Sequence, residues 1–284
     1  MEDTAKLGAF LKARRAALDP DELGLVSGVN RRRVAGLRRE ELAQLAAISV
    51  DYYTRLEQGR ARNVSTEVLD SLARALQLTA DEHRYLRNLA AAPKHRRATP
   101  PRPQRVRPEL RMMLDAITTP ALIFGRNLDV LAYNALGAVM SFHLPTIPVE
   151  ERNMARLFFL DDSAAELHPE WDSLSREVVA NLRSEAGRHP DDPRLAQLIG
   201  ELSLRSEEFR RLWAGHAVRE KAHGVKRIRN PIVGDMSLRY ETLRLADDPD
   251  QALLIYTAEP GSDSDRALRL LASWVADEPQ SVSR

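Results

Sequence analysis

Apolar residues recur at helical spacing through the first ninety positions. Leu7, Phe10, Leu11, Arg14 and Leu18 stand at i, i+3, i+4, i+7 and i+11, which predicts a helix with one mostly apolar stripe. A loop carrying Pro20, Gly24, Gly28 and Gly36 follows. The run Arg39-Glu40-Glu41-Leu42-Ala43-Gln44-Leu45-Ala46 opens with acids, as the first turn of a helix prefers. After a short break, Ser49 is suited to cap a helix from Val50 to Gln58, and Gly59 to end it. Ser65 or Thr66 starts another, with Val68, Leu69, Leu72, Ala73 and Leu76 on one face. Thr79-Ala80-Asp81-Glu82 reads as a capping box for a fifth helix, which runs to about Ala90. Residues 1–90 are therefore expected to form an all-α, five-helix bundle.

The period changes further along. Ala121 to Phe124 and Leu128 to Tyr133 read as a hairpin around Gly125-Arg126-Asn127. Residues 134–215 return to a helical period, broken by Pro145, Pro148, Pro169, Pro190 and Pro193. Three strand-like runs follow, Lys226–Val233, Ser237–Leu245 and Gln251–Ala258, with Gly234-Asp235 and Asp247-Asp248-Pro249-Asp250 as turns. Ser262 to Trp274 closes as a helix. Two strands before the helices and three after them permit one five-stranded antiparallel sheet in an α+β domain over residues 108–284.

The two patterns are separated by residues 91–107. This stretch carries Pro93, Pro100, Pro101 and Pro103, six Lys or Arg and no acid, so it reads as an extended basic linker. Pro108 then opens the next helix, where its missing N–H costs nothing. Net charge follows the same division. The whole chain of 284 residues is +1, but residues 1–107 hold 21 Lys+Arg against 13 Asp+Glu, and the remainder hold 21 against 28. A basic front half on an acidic back half points to nucleic acid as a partner of the front half. Cysteine is absent, which excludes disulfides, thiolate metal sites and a cysteine nucleophile. No signal-peptide pattern or span of about 18 apolar residues occurs, so a cytoplasmic location at the nucleoid, with no membrane partner, is the expectation.

Residues 39–59 carry the strongest chemical signal. A helix, a tight turn and a second helix, with Leu42, Ala43 and Leu45 packing one and Tyr53 and Leu56 the other, make a helix-turn-helix. The outer face of the second helix is then available to the major groove. The match from Glu41-Leu42-Ala43-Gln44 through Ser49 to Tyr53-Thr54-Arg55-Leu56-Glu57-Gln58-Gly59 resembles the lambda-repressor-like, XRE-type family. The resemblance implies that Val50, Asp51, Thr54 and Arg55 meet bases, with Ser49 at the helix start and Gln44, Tyr52 and Arg60 nearer phosphates. Arg55 suits a guanine and Val50 a thymine methyl. Asp51 suits cytosine N4, but equally the helix's own first turn. Glu57 reads as structural. The family places glycine where this chain has Ala47, and alanine at positive φ costs about 1 kcal/mol. Arg31, Arg32, Arg33, Arg38 and Arg39, five arginines in nine residues, read as phosphate or minor-groove contacts, with a solvated loop as the alternative.

Longer blocks narrow the likeness. Arg31 to Glu41, Tyr52 to Arg60, Pro108-Glu109-Leu110, Arg188 to Pro193, Gly200 to Ser206 with Glu208 to Trp213, and Tyr256 to Gly261 are similar to the MmyB-like branch of actinobacterial regulators. That resemblance implies a transcription factor with a C-terminal PAS-like ligand-binding domain, and a relative in which a fatty acid occupies it. Arg126, Tyr133, Phe158, Trp213 and His216 are the candidate ligand contacts. Met140, Phe142, Phe159, Leu198 and Leu202 are apolar enough to line a cavity or simply to form core. The seven histidines include no metal-protease spacing, and no catalytic signature occurs, so neither a cofactor, a metal nor an enzyme activity is expected.

These observations converge on a homodimeric regulator that binds a double-stranded operator and senses a small apolar or amphipathic molecule. A sensory or interaction module with weak, sequence-indifferent DNA binding is the alternative. An enzyme acting on the pocket ligand ranks behind both.

Overall fold

The computed structural model describes residues 2–20, 23, 36–61, 63–91, 104–215 and 222–277. Arg31, Arg32, Arg33 and His216, the greater part of the loop from Pro20 to Gly36, and most of the basic linker lie outside the described residues. The contacts divide the chain into two units: Met1–Thr99 with Arg183–Asp192 and Leu212–Glu220, and Pro100–Leu182 with Pro193–Arg211 and Lys221–Arg284.

The first unit is built on α1 (Glu2–Ala17), α2 (Arg39–Leu45), α3 (Val50–Glu57), α4 (Thr66–Ala75) and α5 (Ala80–Ala90). The expected caps are all used. Ser49 Oγ accepts from Tyr52 N, Ser65 Oγ from Val68 N, and Thr79 with Glu82 forms a reciprocal capping box. The α1 stripe supplies Leu7, Phe10 and Leu11 to a core completed by Leu42, Tyr53, Leu56, Leu72, Leu76 and Leu86. Phe10 meets Tyr85 edge to face at 5.2 Å. Helix α1 crosses α3 at Gly8, where an added Cβ would lie 2.2 Å from the Glu57 carbonyl oxygen. A side chain at that position is incompatible with the packing.

The second unit begins with α6 (Pro108–Ala116), β1 (Ala121–Phe124), β2 (Val130–Tyr133) and α7 (Ala135–Val139). Helices α8 (Met154–Leu160), α9 (Ala164–Leu167), α10 (Trp171–Arg188), α11 (Pro193–Arg205) and α12 (Glu207–Ala214) follow, α10 from Arg183 onward and α12 from Leu212 onward being assigned to the first unit. The chain returns as β3 (His223–Asn230), β4 (Gly234–Arg244) and β5 (Ala252–Thr257), then ends in α13 (Asp263–Asp277). The strands form one five-stranded sheet in the order β2-β1-β5-β4-β3, with every pair antiparallel.

Both faces of this sheet are covered at β1. Leu122 and Phe124 join the cluster under α8, α9 and α10, while Ala121 and Ile123 join the one formed with Leu110 and Leu114 of α6. A central strand buried on both sides reads as a continuous apolar run, as Ala121–Phe124 does. At the opposite edge, alternation is retained: Ile228 and Asn230 of β3 are buried while Arg227 and Arg229 are exposed.

Strand bounds shift from the sequence reading, with β3 and β4 each beginning three residues earlier, at His223 and Gly234. The β3–β4 turn falls at residues 231–233 rather than at Gly234-Asp235, because Asn230 pins it. The Asn230 carboxamide accepts from Ile232 N and Val233 N and donates to the Val139 and Met140 carbonyls. Gly234 closes this three-residue loop at φ 80°, a left-handed value that glycine adopts without strain. Strand β2 starts at Val130, not Leu128, because Asn127 and Leu128 both take positive φ in a tight turn.

Candidate DNA-reading and ligand sites

Helix α3 has two dissimilar faces. Tyr53 and Leu56 are buried in the bundle core. Val50, Asp51 and Arg55 are exposed and Thr54 half-buried, at i, i+1, i+5 and i+4 on one outer face. Gln44 and exposed Leu45 of α2, Arg38, and Arg60 just beyond α3 are also solvent-facing. Tyr52 is half-buried against the core. The turn between the helices places Ala47 at φ 53°, so alanine does occupy the left-handed position.

The inner edge of α3 is held by Glu57. Its side chain is 2% exposed and receives hydrogen bonds from Arg15 Nε at 2.7 Å, Arg39 Nε at 2.6 Å and Tyr53 Oη at 2.8 Å. Burial opposes the carboxylate charge, but these three donors outweigh it and hold the Glu57 carboxyl below the usual range. One acid thus ties α1, the start of α2 and α3 together. This also sorts the arginines. Arg14 pairs with Glu82, Arg15 and Arg39 with Glu57, and Arg87 with Asp70. Arg38, Arg55 and Arg60 have no ion-pair partner among the described residues. Cations committed to acids shape the bundle, and uncommitted exposed ones are what a phosphate or guanine edge can use.

In the second unit the helix-covered sheet face is apolar, with Leu122, Val130, Met236, Leu238 and Leu254 beneath Met140, Phe142, Leu157 and Phe158. Two polar groups interrupt it. His168, which follows α9, is 4% exposed and stacks on Phe158 with centroids 4.7 Å apart. Phe142 lies 5.5 Å from the same ring. Lys226 takes the inward register of β3, with its Nζ 4.4 Å from the Tyr240 ring centroid and 6.0 Å from that of Tyr256. Burial, reinforced by the positive charge of Lys226, lowers the His168 pKa to about 4, so the imidazole is neutral at pH 7.

A family model described as "MmyB-like transcription regulator ligand binding domain" matches residues 106–271, and one described as "Helix-turn-helix domain" matches residues 6–86. The chain belongs to the MmyB-like transcription regulators. No curated protein matches it. The architecture is that of a transcription regulator: a helix-turn-helix domain ahead of a ligand-binding domain. Among the described residues, no helix is long and apolar enough to cross a membrane.

The structure of this MmyB-like chain gathers some candidate residues and separates others. Val50, Asp51, Thr54 and Arg55 share one face, as the helical period requires. Arg39 is half-exposed but committed to Glu57. Phe158 lies on the covered sheet face, and Tyr133 packs at its margin, with Arg152 5.6 Å over its ring. Arg126 instead sits in the β1–β2 turn and pairs with Asp250, while its backbone N–H donates to Gln104. Trp213 belongs to the first unit, where the Arg183 guanidinium lies 4.3 Å over its ring. Phe158 and Trp213 are therefore in different units. His168 and Lys226 were missed by the sequence reading. Counting back from Ile228 by twos places Lys226 on the inner face, a usable signal. Nothing in the type or spacing of His168 marks it.

Proposed function

We propose that this MmyB-like regulator binds a specific double-stranded operator as a homodimer, through the outer face of α3, and does so under the control of a small apolar or amphipathic ligand, a fatty acid being the leading chemistry. The observation that supports the DNA reading best is the division of α3: an inner face locked by Glu57 and an outer face carrying Val50, Asp51, Thr54 and an arginine that no acid among the described residues claims. A groove-reading helix needs this rigidity behind it and this availability in front. One bundle offers few base contacts, so two copies on two half-sites about one helical turn apart supply the specificity. The ligand acts by favouring one spacing of the two reading helices, which requires that it bind the two arrangements with different affinity. No catalytic role is proposed for any residue.

The test is selection of a duplex from a random pool by the full chain, followed by titration at two salt concentrations. Enrichment of a two-half-site sequence, with preference lost in Arg55→Ala, supports the reading. Recovery of no common sequence, with affinity set by salt alone, supports the alternative of an interaction module with indifferent DNA binding.

A further inference from the structure

We propose that α10 carries ligand control to the DNA-reading bundle, and that Arg183 is the positioning residue through which it acts on Tyr85. This rests on the reading that ligand occupancy changes DNA binding, and adds to it the element and the contact that convey the change. Helix α10 is one helix from Trp171 to Arg188, yet its residues from Arg183 onward belong to the first unit. Its first turns take part in the apolar core of the second unit. There Trp171 Nε1 donates to the Phe158 carbonyl at 2.9 Å, and Leu174 is buried in the cluster that holds Phe142 and Phe158. Its last turns take part in the first unit, against α5. The Arg183 guanidinium hydrogen-bonds the Tyr85 hydroxyl, donates to the Trp213 carbonyl and lies 4.3 Å over the Trp213 ring. Four residues on, Gly187 brings the helix backbone against the same tyrosine: an added Cβ would lie 2.5 Å from ring atoms Cδ2 and Cε2.

From Tyr85 the path to the reading helix is packed. The tyrosine ring meets Phe10 of α1 edge to face, and α1 holds α3 through the Arg15–Glu57 pair. Arg183 itself is 3% exposed. A buried guanidinium adds little stability that an apolar side chain of similar volume would not supply. What it adds is direction, because its planar fork of donors fixes the places of the groups that accept from it. Tyr85 and the Trp213 carbonyl are thereby referred to one point on α10. A rigid element with one end in each core passes a displacement at the first end to the second. Such a displacement requires only a ligand that binds two placements of α10 with different affinity.

The experiment titrates the selected duplex with the full chain as purified, and with the same chain after denaturing extraction and refolding, in wild type, Arg183→Met and Tyr85→Phe. Methionine keeps an apolar stem without the charge. Tyr85→Phe removes only the hydroxyl that meets Arg183 and leaves the ring on Phe10. Thermal melting checks that each variant folds, and if Arg183→Met does not, Tyr85→Phe carries the test alone. The expected result is a wild-type affinity that changes by about fivefold or more on extraction, against a change within about twofold in both variants, with preference among single-base duplex variants kept. A response as large in the variants as in the wild type overturns the route through Arg183 and leaves ligand control standing. Variants that lose base preference together with the response make Arg183 a structural residue only, and overturn the proposal too. A wild type that shows no response to extraction ends the reading of ligand control itself, and the proposal falls with it.

Discussion

Glu57 and His168 are both buried polar side chains, and their surroundings are opposite. Glu57 is met by three donors from three places in the bundle. His168 is met by aromatic rings, and its two nitrogens have no partner among the described residues. The first arrangement is complete, and it locks the inner edge of α3 to α1 and α2. The second is incomplete as a folded core among the described residues. Buried polarity is thus internally satisfied at Glu57 and left unsatisfied at His168 among the described residues.

The largest way to break the comparison is at Glu57. Glu57→Ala leaves Arg15 buried without its anion, and removing one partner of such a pair costs about 3–5 kcal/mol. Urea unfolding of the full chain should show this as loss of the DNA-binding unit's transition, with the sheet unit's transition kept. At His168 the effect is in the pH dependence. The folded pKa, about 4, lies below the unfolded value near 6.5. The unfolded chain therefore binds the extra proton between these values. Stability is fully present above pH 6.5 and declines as pH falls toward 4, by about 3 kcal/mol at most. His168→Phe should flatten that window in melts taken from pH 4.5 to 7.5. A slope unchanged by the substitution would show that another group carries it.

Arg55→Ala probes what Glu57 holds in place. Loss of a bidentate guanine contact costs about 1–3 kcal/mol and relaxes preference at one position, while bundle stability is unchanged. Anisotropy titrations against single-base operator variants would show both. The smallest effect is at Ala47. Its φ of 53° carries a left-handed penalty, so Ala47→Gly should stabilise the bundle by about 1 kcal/mol without altering operator choice. A melting temperature that falls instead would mean that the alanine methyl makes contacts worth more than the strain.

Much of this was legible along the chain because the signals were local. Caps at Ser49, Ser65 and Thr79 act within three residues, and the structure uses each of them. Two strand runs before the helices and three after them allowed one five-stranded antiparallel sheet, and the structure has it. What failed to show was set by distant partners. The β3–β4 turn moved because Asn230 reaches the carbonyls of Val139 and Met140, some ninety positions earlier. Arg126 reads as a candidate ligand contact, and the carboxylate it pairs with is Asp250 of its own chain. Arg39 was read as a phosphate contact, and Glu57 occupies it. In each case the residue type was informative and its partner was not, because contact across the sheet or bundle leaves no spacing in the sequence.

The claim that joins the two units is that ligand occupancy changes DNA binding. The direct measurement is anisotropy of the selected duplex with the chain as purified and with the same chain after denaturing extraction of any co-purified apolar molecule and refolding. The account predicts affinities that differ by about fivefold or more, restored by adding the extracted fraction back. Identical affinities, with occupancy verified by native mass spectrometry, would contradict it.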